Sequence, residues 1–304
     1  MNFRTKNFIF QCIGKTPFPD TLHYALQKYV THSVVRSDER YSEMYRFKVQ
    51  DHLTAFAEYG IRPITQSTYY EFGSGWDLFA PLGFSAAGMQ ELICVDLRAH
   101  VHAQDIERAA SFYARHADVL NLASIADDPL PTAKDDLRRA LRERYRIRYE
   151  APCDARDTKL PAESVDFIVS NCTMEHIPFE DIPHILSECV RLLRPGGILS
   201  WTVDYQDHWS YADPSISVYN FLAFEQADWK KLNPDLHYQN RLRHSDYVRL
   251  LEESGLLIRK VTPLEIRSED RTALHSVSLA YDYRTYDIED LLIRGAHFVL
   301  QKGS

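Results

Sequence analysis

The sequence predicts an open α/β sheet of parallel strands, and three observations carry that expectation. Short apolar runs with the composition of buried parallel strands alternate with segments of helical periodicity. A glycine turn, Gly73-Ser74-Gly75, follows directly on the first run, Tyr69–Phe72. The second run, Leu92–Val95, ends on an acid, Asp96, 21 positions after Gly75. Together these form one half of a nucleotide-binding βαβ unit: glycines let the backbone approach a ligand closely, and an acid at the tip of the second strand accepts hydrogen bonds from a ribose diol. Glu71 lies just before the turn and Asp77 just after it. A pyrophosphate between two acids is disfavoured, so a cofactor without phosphate and with a cationic centre suits the turn better.

Composition bounds the rest. The chain has 304 residues and 35.3 kDa, enough for one enlarged domain or a domain with a cap. Hydrophobic residues make up 45%, which supports a full core. The net charge of −8 and pI near 5.9 argue against a long basic surface for nucleic acid or anionic membrane. Five cysteines, Cys12, Cys94, Cys153, Cys172 and Cys189, form no CxxC, so neither a disulfide framework nor a zinc knuckle is expected. With no 18-residue apolar stretch and no signal-peptide layout, a cytoplasmic protein is expected.

Taken in order, residues 1–20 read as irregular, with Gly14, Pro17 and Pro19 as breakers, and 21–32 as a helix. Over 38–60 the spacing predicts a helix capped by Asp38 and ended by Gly60. Residues 1–60 thus form a helical extension or lid, either packed on the domain edge or reaching over the cleft with Tyr41, Tyr45 or Arg46. Helices are expected at Trp76–Ala87 and Ala103–Tyr113. A long connection follows, an insertion at 115–144 ending in a charged helix, Ala133–Arg144. The arginine run 138–148 reads as a solvated face, since acids are interspersed. Strands follow at Tyr145–Glu150 and Asp166–Ser170, then an amphipathic helix at Asp181–Leu193. The Arg194–Gly197 turn leads into a strand at Ile198–Val203. The aromatic-rich stretch 205–244 is too long for a plain crossover and predicts a helical cap over the carboxyl edge. Asp204, Asp207 and His208 begin it where a substrate should lie. A helix with Tyr247, Leu250 and Leu251 follows, then a strand at Leu256–Pro263, a helix at Asp287–Leu292 and a closing strand at His297–Gln301.

The stretch EFGSG and the later segment CDARDTKLPAESVDFIVSNCTMEHI resemble the motifs of class I S-adenosylmethionine-dependent methyltransferases, and LLRPGG is similar to the turn before their fifth strand. Asp77 stands where such proteins commonly have a third glycine. The resemblance covers residues 65–205 closely and 240–301 loosely. It implies a Rossmann-like seven-stranded sheet, order 3-2-1-4-5-7-6 with the last strand antiparallel, in a methyltransferase domain at 61–301. It also implies S-adenosylmethionine as cofactor and S-adenosylhomocysteine as product. By resemblance Glu71, Phe72, Gly73, Ser74 and Gly75 lie along the methionine part, and Asp96 and Leu97 at the ribose. Asp154 and Ala155 would lie at the adenine, and Asn171 and Cys172 along the cofactor. Glu175, Asp204, Tyr205, Trp209 and Arg241 are candidates for the substrate side. Arg241 either pins the cap or receives an acidic substrate group. His208 and then His176 are candidates for a general base near neutral pH, with His176 equally placed for a supporting role. No HExxH pattern or catechol-type triad occurs, so no metal is expected.

The implied activity is methyl transfer to an oxygen, nitrogen or carbon nucleophile of a small or medium metabolite, a sugar or glycan precursor among the candidates. A non-catalytic nucleoside-binding or scaffold protein on the same fold is the alternative. A nicotinamide oxidoreductase is disfavoured by the incomplete glycine motif and the missing Tyr-x-x-x-Lys pair. The NPPY-type signature of adenine methyltransferases is absent from 170–177.

Overall fold

Seven strands form one sheet in the order β3-β2-β1-β4-β5-β7-β6. They are β1 Thr68–Phe72, β2 Glu91–Val95, β3 Ile147–Glu150, β4 Val165–Asn171, β5 Leu193–Asp204, β6 Leu257–Pro263 and β7 Gly295–Gln301. The first five pair in parallel, and β7 runs antiparallel between β5 and β6. The computed structural model describes residues 1–29 and 36–303, so 30–32 of the expected second helix lie outside it.

Alternation along the strands builds two layers. Tyr69, Leu92, Cys94 and Phe167 face one side. There they meet α4 (Asp51–Tyr59), α5 (Phe79–Ala86), α6 (Ala103–Leu120) and α7 (Lys134–Tyr145). Tyr70, Phe72, Ile93 and Ile168 face the other side, covered by α8 (Ile182–Leu192) and α10 (His244–Glu253). The reversal of strand order between β1 and β4 opens a crevice at their carboxyl ends, where ligands of such sheets bind.

Several boundaries differ from expectation for local reasons. Residues 1–20 are not irregular: α1 spans Phe3–Gly14, capped by the Asn2 side chain on Arg4 N, and buries Phe3, Asn7 and Phe10. Gly14, Pro17 and Pro19 only separate it from α2 (Pro19–Tyr29). Ser37, not Asp38, caps α3 (Asp38–Tyr45). Helix α5 begins three residues late, because 73–78 is spent on the turn and Leu78 takes a left-handed φ of 50°. Arg194–Gly197 is drawn into β5 as an irregular segment. Leu193 pairs with Val165, Gly196 has φ +77°, and the register shifts before Phe167.

A third apolar cluster lies beyond the sheet. It joins α1 to the cap, made of short 3-10 turns and α9 (Gln226–Leu232), and to α11 (Ser268–His275) and α12 (Ile288–Leu292). Helix α11 has no counterpart in the sequence reading. No described helix is long and apolar enough to cross a membrane.

Candidate active site

The turn after β1 is held open by geometry only glycine tolerates. Gly73 and Gly75 have φ of +71° and +78°. A Cβ on Gly73 would stand 2.4 Å from Thr173 Cγ2, so the loops after β1 and β4 meet there without room for a side chain. Gly73 N donates to Val95 O at 3.0 Å, which ties the turn to the end of β2. Asp77, in the place of a third glycine, is tied down at the crevice wall: one oxygen accepts from Phe79 N at 3.3 Å and the other from Arg36 and Tyr41.

Two buried carboxyls flank this turn, each with an oxygen lacking any partner. Glu71 is 1% exposed; Oε1 accepts from Asn171 Nδ2 at 3.1 Å and Oε2 has no partner. Burial pushes its pKa up to about 7, against the pull of Asn171. Asp96 is likewise buried with Oδ2 unpartnered, and burial, then the charge of Glu71, holds it well above the usual range. Orphaned oxygens of this kind are costly unless a donor arrives. They match the chemistry of an S-adenosyl group, a ribose diol for Asp96 and an ammonium for Glu71.

The crevice beside Glu71 is narrow, about 40 Å³, and is lined by Met44, Lys48, Glu71, Gly75, Ala80 and Asn171 among others. A site for a ligand of nucleoside size needs roughly 300 Å³ or more. An aromatic stack lies beside the turn, around Trp76. Tyr24 of α2 lies 3.7 Å from His102 and 5.2 Å from Trp76, centroid to centroid, and Trp76 packs on His100. Arg98 pairs with Asp20 beside it.

A second polar group gathers where β4 and β5 end. Glu175 is 1% exposed and neither carboxylate oxygen has a partner. Burial raises its pKa. His208 stands beside it, with Nε2 3.4 Å from Asp204 Oδ2. Burial alone would lower the His208 pKa, but Asp204 outweighs it and the net shift is up. Asp204 is held below its usual value, as His208 and the Tyr211 hydroxyl overcome its burial. The rings of His176 and His208 are 4.9 Å apart, and His176 Nδ1 bonds Tyr238 O at 2.7 Å. One donor atom from each of Glu175, His176 and His208 falls within 4.8 Å of the others, although no sequence pattern suggested a metal centre.

A family model described as a methyltransferase domain matches residues 112–201, the stretch from within α6 to within β5. That match spans less than half of the chain, and the strand order is that of the class I methyltransferase fold. A search of curated proteins returns no match. Among solved structures, the Streptomyces coelicolor geranyl diphosphate C-methyltransferase aligns at 15% identity and TM-score 0.45, over 87% of this chain and 84% of that one. The Haemonchus contortus phosphoethanolamine N-methyltransferase 2 aligns at 16% and 0.46, over 88% and 59%. The Bacillus subtilis YcgJ protein aligns at 15% and 0.43, over 84% and 99%. Likenesses this distant say nothing about the activity of the present chain.

Several residues expected to touch ligand do other work in this structure. Trp209 is 1% exposed, donates its indole N–H to Leu232 O at 3.1 Å and packs on Phe10 and His237, inside the cap. Tyr205 is buried, stacked on Tyr247, with its hydroxyl 3.3 Å from His244 Nδ1. Arg241 is buried and donates to Phe221 O, Phe224 O and Gln226 Oε1, so it pins the cap and is not available to an acidic substrate. In each case an aromatic-rich insertion uses its large side chains to build its own core. Asp154 is held by Arg156 through both oxygens, which lowers its pKa and already satisfies it. Leu97 is exposed, Ala155 is half-buried against the α8 layer, and Phe72 packs edge-on against Trp201. Half-buried Cys172 takes φ +51° at the end of β4, and Ser74 is buried in the turn.

Other functional neighbours escaped the sequence reading. His52 bonds Asn171 Oδ1 at 3.0 Å and Ser200 Oγ at 2.6 Å, setting the amide that holds Glu71. Lys48 and Arg36 also line the crevice, and Tyr24 stacks on Trp76 just past the turn. Tyr41 reaches Asp77, while Tyr45 packs against Tyr113 in the core. A helix stripe at 41, 45 and 48 was legible, but not which of its members would face the crevice.

Proposed function

We propose that this protein moves a methyl group from S-adenosylmethionine to a nucleophilic atom of a small or medium metabolite, seated over the carboxyl ends of β4 and β5. The observation that carries the reading is the pair of buried, half-satisfied carboxyls, Glu71 and Asp96, on either side of the glycine turn. Asp96 accepts from the ribose hydroxyls. Glu71 faces the methionyl ammonium, and Lys48 on the same wall offers its own ammonium to the methionyl carboxylate. Gly73 and Gly75 let the main chain lie against the ligand. The backbone beside Ala155 is left to meet the adenine, since the Asp154 oxygens are engaged.

The bound cofactor supplies a sulfonium methyl open to in-line displacement. What the protein adds is alignment and exclusion of water. Glu175, Asp204 and His208 line the acceptor position and His176 stands at its rim. A pocket of two carboxyls, imidazoles and the Tyr211 hydroxyl suits a hydroxyl-bearing acceptor, of which a sugar is one, better than an apolar one. Residues 1–60 act as a lid: with the crevice at about 40 Å³, the α1–α2 hairpin swings away to admit the cofactor.

Calorimetry with S-adenosylhomocysteine tests the site. Wild type is expected to bind and Asp96→Ala to bind at least tenfold more weakly, about 1.4 kcal/mol for a lost ribose contact. Equal, tight binding by the variant overturns the site assignment.

A further inference from the structure

We propose that the acceptor pocket is a binding site for a divalent transition-metal ion, with Glu175, His176 and His208 as its protein ligands. The proposal rests on reading this pocket as the place where the methyl acceptor lies. It names what the pocket uses to activate that acceptor.

The first observation is an unpartnered buried carboxyl. Glu175 sits at the carboxyl end of β4 with 1% of its surface exposed, and neither carboxylate oxygen receives a hydrogen bond. Buried carboxylates without donors are rare unless they are paired or bind a metal. His208, 9% exposed, has only the Asp204 carboxylate, 3.4 Å away, beside its Nε2. The second observation is the spacing. One donor atom from each of the three residues lies within 4.8 Å of the others. Ligands about 2.0–2.2 Å from one tetrahedral ion stand roughly 3.3–3.6 Å apart, so binding would draw the three residues together by up to roughly 1.2–1.5 Å onto a common centre.

The third observation is the tautomer of His176. Its Nδ1 lies 2.7 Å from the Tyr238 carbonyl, which can only accept, so Nδ1 carries the proton and Nε2 keeps its lone pair. Metal-bound imidazoles are held in this way, the far nitrogen donating to a carbonyl or carboxylate that fixes ring and tautomer. Asp204 adds a further anionic oxygen beside His208, and His237 brings an unpartnered Nε2 to the wall, its ring 6.2 Å from that of His208. The exposed rim at His176 gives an ion a way in.

Two imidazoles and one carboxylate select the metal. Hard ions such as Mg²⁺ and Ca²⁺ prefer oxygen ligands, whereas this set suits Zn²⁺ or its first-row neighbours with at least one position left open. An acceptor hydroxyl in the open position would lose its proton more readily. In the balanced step the hydroxyl proton passes to solvent, the oxygen pair forms the new C–O bond, the S–CH₃ bond breaks, and its electron pair returns to sulfur, leaving a neutral thioether.

The test uses full-length protein stripped with a chelator and titrated with ZnCl₂, and separately with CoCl₂ to read ligand-field absorbance. Expected are one ion per chain and a tetrahedral-type cobalt spectrum. Glu175→Gln and His176→Ala should each weaken binding by about 100-fold or more, beyond the loss of an outer contact. His176→Ala removes an exposed ring, so it guards against a Glu175 variant that fails to fold. Binding of S-adenosylhomocysteine, measured in parallel, should not respond to chelation. The proposal is overturned if folded wild type that binds S-adenosylhomocysteine takes up neither ion stoichiometrically, or if both variants bind zinc as wild type does. Metal uptake without any S-adenosylhomocysteine binding would keep the metal site and remove the methyl-transfer reading instead.

Discussion

Replacing Glu71 by glutamine should flatten the pH dependence of cofactor binding. Burial raises the Glu71 carboxyl from 4.5 to about 7 in the free protein. A cation brought against its unpartnered Oε2 restores the charged form, so binding expels a proton wherever the free carboxyl is still protonated. With a midpoint of 7, the free group is about nine-tenths protonated at pH 6 and one-tenth at pH 8, and affinity should rise roughly tenfold across that range. Glu71→Gln should lose this gain and bind more weakly than wild type at pH 8. Asp96 is present in both proteins, so the difference between the two slopes, including the effect of the Glu71 charge on Asp96, carries the test. Calorimetry with S-adenosylhomocysteine in two buffers of different ionisation enthalpy counts the protons released. The same group makes a second, independent statement about folding. Its folded pKa is raised, so the stabilisation is complete below pH 4.5 and declines as pH rises through 7. A shift of that size amounts to about 3 kcal/mol. Thermal unfolding of wild type, but not of Glu71→Gln, should therefore show that share of the decline. Parallel slopes for the two proteins, in binding and in unfolding, would refute the placement of a half-satisfied carboxyl at the cofactor.

The lid and the cap give two more expectations. Tyr24→Ala removes the stack on His102 and Trp76, worth about 0.5–1.5 kcal/mol, and should speed S-adenosylhomocysteine association about two- to tenfold, read by stopped-flow tryptophan fluorescence. An unchanged or slower rate would mean that the mouth is not gated there. Arg241→Ala strips three acceptors, one of them fully buried, of their donor and should cost about 2–4 kcal/mol in chemical denaturation, without rescue by Arg241→Lys, whose single ammonium cannot span them. A normal denaturation midpoint with a raised KM for an acidic acceptor would return Arg241 to the substrate.

Local rules sufficed wherever neighbours in sequence are neighbours in space. The β1–turn–β2 unit, the acid closing β2 and the amphipathic stripe of α8 depend on spacing alone. The stripe of α1 was equally regular, with Phe3, Asn7 and Phe10 on one face. Yet what it packs on lies more than 200 residues away: Phe3 N donates to Asp213, and Asn7 Nδ2 to Lys231 O. Between breakers and without its partner, that stripe reads as loop. The aromatic insertion failed in the opposite sense. Trp209 and Tyr205 have the side chains of a pocket wall, and only their surroundings show that they are core.

From the sequence alone came the sheet, the glycine turn and the identity of the two acids that flank it, because backbone sterics and side-chain period act within a few residues. The tertiary structure decided which polar atoms are left without partners. That property belongs to no residue by itself: Glu175 and His176 are adjacent in the chain, but His208 reaches them from the end of another strand. Burial by the cap then turns three ordinary side chains into a site that calls for a ligand.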